Sequence, residues 1–102
     1  MYVNVFRSRK RADMDAAAYH ADAARMVELA RAQPGFLSYK TFAADDGETV
    51  TISEWESREH ARDWARNAEH AAVQGRGRAE YYESYTVHSC TDPEVRHFHR
   101  ES

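Results

Sequence analysis

The 102-residue chain has little with which to build an ordinary core: one isoleucine, two leucines, seven valines and four phenylalanines, 14 residues in all. Its hydrophobic fraction of 42% is misleading, because alanine supplies 17 of the 43 residues counted. A share of Leu, Ile, Val and Phe under roughly 20% marks disorder only when high net charge accompanies it. The net charge is −3 and aromatics reach 12%, so the chain reads as folded around Tyr, Phe, Trp and Ala. A chain of this size buries only roughly 60–65% of its unfolded surface, so a core this poor in branched aliphatics points to help from a partner subunit.

Other absences narrow the class. The single cysteine, Cys90, excludes an internal disulfide framework and a cysteine-rich zinc site, leaving a packed or weakly exposed thiol. No stretch approaches the roughly 18 apolar residues of a membrane span. The segment Met1 to Arg7 starts like a strand, without the apolar run of a secretory signal, so the expectation is a cytoplasmic protein with no membrane partner. Twelve of the 14 basic residues are Arg, but acids are interspersed among them and the pI is near 6.0, which excludes the basic footprint of a nucleic-acid binder. The Arg-Ser-Arg-Lys-Arg run at 7–11 reads as a solvated strand-to-helix loop rather than a phosphate site.

With only two prolines and four glycines, the punctuation is sparse and legible. Tyr2 to Ser8 alternates as a first strand. Asp13 or Asp15 can cap a helix from Asp15 to Gln33, with Tyr19, Ala23, Met26, Val27 and Ala30 on one face, and Pro34-Gly35 stops it. Phe36 to Ala43 is a second strand, Asp45-Asp46-Gly47 a tight hairpin turn, and Glu48 to Trp55 a β-branched third strand. Ser57 is a good N-cap for a helix carrying His60, Ala61, Trp64, Ala65 and Ala68 on one side. A further helical stretch, roughly Glu69 to Arg78, contains Gly75 and Gly77 and is expected to fray or kink. Tyr81 to Cys90 is the fourth strand, and alternation puts Tyr82 and Tyr85 on opposite faces. Residues 91–102 form a charged tail in which His97 and His99 alternate, with no acidic third ligand at motif spacing.

The order β-α-β-β-α-β is a split βαβ, a ferredoxin-like α+β unit over residues 1–90, with helices on one face of a four-stranded antiparallel sheet. Tyr, Phe or Val on both sides of every strand suits burial of both faces, the second against another copy, with the tail helping to close that interface.

At this point the chain resembles the antibiotic biosynthesis monooxygenase superfamily. The matching residues are Val5-Phe6-Arg7-Ser8, Tyr19 with Met26-Val27-Glu28-Leu29-Ala30, and Gln33-Pro34-Gly35-Phe36-Leu37. Asp46-Gly47, the Trp55-Glu56-Ser57 junction, Trp64, Asn67, Glu69-His70, Ala72, Gly77-Arg78 and Tyr82-x-x-Tyr85 extend them over about nine-tenths of the chain. The resemblance implies a dimeric α+β barrel. It leaves the chemistry open, because one fold hosts several activities.

Candidate residues follow. The resemblance places a histidine at His70, near the pocket between helices and sheet, where an imidazole of near-neutral pKa could take a proton from a phenol or bind metal or haem. The alternative is a helix-terminal histidine bonded to the backbone. Trp64 and Trp55 flank the second helix, as pocket walls or as core. Asn67 and Gln74 lie near His70 and can orient a carbonyl or a dioxygen species, although Asn67 equally suits a helix C-cap. Tyr82 and Tyr85 are candidate walls, and Asn4, in phase with Tyr2 and Phe6, would need a partner if buried.

Three functions compete. The first is cofactor-independent oxidation of an aromatic, polyketide-like molecule by dioxygen, with His70 as base, Trp64 and a tyrosine as walls, and Asn67 or Asn4 as donor. No metal or other cofactor is required. The second is haem binding or degradation. Trp64 matches haem-degrading relatives, but Gln74 falls at their proximal-histidine position and Phe6 near their first-strand asparagine. The third is a non-catalytic, small-molecule-binding or stress-linked dimeric barrel.

Overall fold

A computed structural model describes residues 1–101, with only the backbone at Ala68. Strand β1 (Tyr2–Lys10) leads to helix α1 (Ala16–Arg31), then to the hairpin β2 (Phe36–Ala43) and β3 (Thr49–Trp55). Helices α2 (Arg58–Arg66) and α3 (Ala68–Arg76), a π-helical turn over Gly77–Tyr81, and β4 (Tyr82–Thr91) complete the chain. The sheet order is β2-β3-β1-β4 with every neighbouring pair antiparallel, the ferredoxin-like α+β arrangement expected.

Local chemistry sets the boundaries. The Asp15 side chain accepts from the Ala18 N–H at 3.0 Å and starts α1. The helix stops at Arg31 rather than Gln33, because a residue before proline is driven out of the α region and Pro34 follows Gln33. In the β2–β3 turn Gly47 takes φ +90°, which a side chain rarely adopts. Ser57 accepts from the His60 N–H and caps α2.

Three expectations need correction. The 7–11 run is not a loop: β1 continues to Lys10, and Arg7, Arg9 and Arg11 are tied to Glu48, Asp46 and Asp13. The helical stretch does depart from regular α-helix at Gly77, where the π-helical turn begins, but an earlier break that was not expected falls at Asn67. There the backbone turns to ψ 127° and the amide oxygen accepts from the Glu69 and His70 N–H groups, while Gly75 sits in regular helix. Tyr82 and Tyr85 do not oppose each other. Arg9 pairs with Ser84 and Lys10 with Tyr82, so Glu83 is an extra residue in a bulge that brings both tyrosines to the helix side.

All three helices lie on one face of the sheet. The buried cluster is Met26, Ala30, Trp55, Ala61 and Trp64, without a fully buried Leu, Ile, Val or Phe. Trp55 is the largest fully buried side chain, edge-on to Phe36 and stacked near Trp64 at 6.0 Å between centroids. On the opposite face the register aligns Val5 with Ile52 and Phe42 with Val50, and Phe42 is 48% exposed. From Pro93 to Glu101 the described part of the tail has no regular structure, and Phe98 is 82% exposed. No helix among the described residues is long and apolar enough to cross a membrane.

Candidate functional site

A cavity of about 480 Å³ opens between the sheet and the helices. Alternation along β1 delivers Tyr2, Asn4 and Phe6 to its floor, and the aligned strands add Tyr39, Thr51, Ser53, Tyr82, Tyr85, Val87 and Ser89. From above come Met26 of α1, Ala61, Trp64 and Ala65 of α2, and His70, Val73 and Gln74 of α3. The arginines Arg58, Arg62 and Arg78 complete the lining. The volume lies within the roughly 300–1,000 Å³ range of small-molecule sites, and the lining has the usual aromatic walls with a few polar groups.

The helical break builds the site's central feature. By ending α2 and starting α3 within one residue, Asn67 folds His70 back over Trp64. The two rings stack with centroids 4.0 Å apart and planes 11° from parallel. His70 Nδ1 lies 2.9 Å from the Trp64 carbonyl oxygen. A carbonyl can only accept, so Nδ1 carries the hydrogen and the neutral ring keeps its lone pair on Nε2. Burial pushes the His70 pKa below its usual 6.5, against the opposing pull of that carbonyl. The imidazole is therefore neutral at pH 7, with one nitrogen locked as donor and the other left as a base.

The floor is made of neutral donors and acceptors. Asn4 accepts from the Ser89 hydroxyl at 2.6 Å, leaving its amide NH2 as a donor. Phe6 sits between Tyr82 and Tyr85 at 5.5 and 5.2 Å, and the tyrosine rings are 5.9 Å apart. Burial raises the pKa values of Tyr39 and Tyr82, keeping both as neutral phenols.

Of the predicted residues, His70, Trp64, Gln74, Asn4, Tyr82 and Tyr85 share this cavity. Trp55 and Asn67 do not line it. Trp55 is wholly buried behind Trp64, with its indole N–H unpartnered among the described residues. Asn67 spends its amide oxygen on the α3 cap. Sequence reasoning missed Tyr39 and the three arginines. The spacing of Arg58 and Arg62, one turn apart and interleaved with Ala61 and Ala65, was a usable signal for two of them; Arg78, inside the π-helical turn, stood out only as part of the Gly77-Arg78 family match.

Fold and cavity together define a small α+β protein with a ligand-sized chamber roofed by helices. Comparison with known proteins makes the class specific. The sequence model of the family described as antibiotic biosynthesis monooxygenase matches residues 1–76, and the chain belongs to that family. An uncharacterised protein, YqjZ, of Bacillus subtilis is 42% identical over 69 residues, covering 68% of this chain; the chain spans about 60% of that relative's length. Among solved structures, Rv0793 from Mycobacterium tuberculosis superposes with a TM-score of 0.80 at 19% identity, over 92% of this chain and 96% of that one. SnoaB, a cofactor-independent oxygenase from Streptomyces nogalater, superposes with a TM-score of 0.76 at 18% identity, over 92% and 94%. At these identities the likeness is one of fold.

Proposed function

We propose that this chain is a cofactor-independent oxygenase acting on a flat, electron-rich phenol held in the chamber described above. The observation that supports this most is the neutral, tautomerically locked His70 lining an aromatic-walled cavity in a member of this family. In this reading His70 Nε2 removes the phenolic proton, and the electron-rich ring reduces dioxygen directly. One oxygen atom enters the ring carbon as a carbonyl and the other leaves as water, so that an anthrone plus dioxygen gives a quinone plus water. The protein supplies the base, exclusion of bulk water, and donors (the amides of Asn4 and Gln74, the phenol of Tyr82) for the negative charge that develops on oxygen. The donor set does not favour haem. The lining holds a single imidazole, stacked against an indole, and Gln74 is a poor iron ligand, so no step is assigned to it.

Oxygen-electrode assays with an anthrone, without added metal or flavin, should show one dioxygen consumed per quinone formed. Absence of turnover with anthrones and quinols would sink the oxygenase reading. A Soret band on haem titration that disappears in His70→Ala would replace it with haem binding.

The proposal includes a homodimer and a cytoplasmic setting. Val3, Val5, Val50, Ile52 and Phe42 make an apolar stripe on the sheet face away from the helices. Large contiguous apolar patches are uncommon on monomers. Sedimentation at micromolar concentration should give about twice 11.8 kDa; a stable monomer there would contradict the interface.

A further inference from the structure

Six of the chain's arginines are bound to carboxylates: Arg7, Arg9, Arg11, Arg25, Arg76 and Arg96. Among the described residues Arg31, Arg58, Arg62, Arg66, Arg78 and Arg100 have no such partner, and three of these line the cavity. Those three are Arg58, Arg62 and Arg78, and the lining contains no Asp or Glu at all. Arg58 and Arg62 stand four residues apart on α2, an arrangement of like charges that weakens a helix. Glu59, outside the lining, feels Arg58 and Arg62 only weakly. Its acidity is raised first by its own backbone and by Ser57, and only then by these arginines. Three guanidinium groups thus border a cavity whose other lining groups are neutral, with His70 neutral at pH 7.

We infer that Arg58, Arg62 and Arg78 form an anion-recognition rim, and that the ligand is an aromatic compound bearing a carboxylate. The inference rests on the functional reading above and deepens it. The aromatic floor takes the ring system and the rim takes the charge. Guanidinium groups suit this because their planar fork matches the two oxygens of a carboxylate. The polarity also suits the proposed chemistry. A cationic rim holds an acidic ligand without placing a full negative charge beside the phenol, so proton removal by His70 is not opposed. The rim residues position the ligand; none is assigned a chemical step.

The test compares two probes of the same shape, 2-naphthoate and the neutral 2-naphthamide, by quenching of tryptophan fluorescence. The wild-type protein should bind naphthoate about tenfold or more tightly than naphthamide. The advantage should shrink as salt rises from 50 to 500 mM, roughly as screening of exposed charges predicts. In Arg58→Gln/Arg62→Gln/Arg78→Gln the two affinities should converge while naphthamide binding stays unchanged, which controls for folding. If both probes bind the wild type equally, the rim assignment fails and the aromatic chamber stands. If neither binds, both readings fail together. Haem carries the same carboxylate chemistry on its propionates. A Soret band that forms in the wild type and is lost in the triple variant would overturn the small aromatic acid as the source while keeping the rim.

Discussion

Replacing Gly35 by alanine is expected to lower the melting temperature by at least about 10 °C. Two independent strains meet there. Gly35 has φ +77°, in the left-handed region, where a Cβ costs roughly 1–2 kcal/mol. That Cβ would also overlap the ring of His60 and approach its Cβ to 2.6 Å. The imidazole cannot swing aside cheaply, because Ser57 holds its Nδ1 at 2.7 Å and the clash reaches the root of the side chain. Forced overpacking adds about 1–3 kcal/mol, against a total stability of roughly 5–15 kcal/mol for a domain. Gly47 provides the control. Its φ is +90°, but a Cβ there meets nothing within 4 Å, so Gly47→Ala should show the conformational part alone. Equal losses for the two variants, measured by thermal unfolding, would mean that the His60 contact is not felt.

The second large effect is on turnover. His70→Gln should reduce anthrone oxidation by about 10²- to 10⁴-fold, the usual range for removing a general base. Glutamine can still donate to the Trp64 carbonyl, so it keeps the structural bond and removes only the basic nitrogen. If His70 merely ties the backbone, His70→Gln will be nearly as active as the parent and His70→Ala alone will fail. The pH profile separates the roles further. The base must be neutral, and burial holds its pKa below 6.5, so kcat/KM should be flat through pH 7 and fall on an acid limb whose midpoint lies below 6.5. Stability follows with the same sign. As pH drops through 6.5 the unfolded chain takes up the proton before the folded one does, so folding weakens progressively until the folded pKa is passed. His70→Gln should abolish that part of the pH dependence.

What could be read in advance, and what could not, divides along a physical line. Signals confined to neighbouring residues were legible. Phe36 to Ala43 has the predicted strand bounds, Ser57 caps the helix it precedes, and Pro34-Gly35 ends the one before it. The ferredoxin-like order and the chain's family were equally visible. Features set by how two elements meet were not. Nothing local distinguishes Trp64, which reaches the cavity, from Trp55, which is walled off behind it. Asn67 was recognised as a polar group beside His70, but capping and ligand binding use the same amide oxygen, and only the break between α2 and α3 shows which use prevails. Arg78 reaches the rim through a π-helical turn that helical spacing does not anticipate.

The bulge at Glu83 has a consequence for chain length. Tyr-x-x-Tyr is an odd spacing that behaves as an even one, because the extra residue is absorbed where Arg9 and Lys10 meet β4. A relative lacking one residue there, with Tyr-x-Tyr in plain alternation, would present both phenols on the same floor. A deletion further along the strand has no such outlet. It would exchange Val87 and Ser89 for their outward-facing neighbours, replacing one wall of the chamber. Glu83 is thus the place on β4 where a codon can be lost silently, and an alignment that puts the gap elsewhere pairs cavity residues with residues of the opposite face.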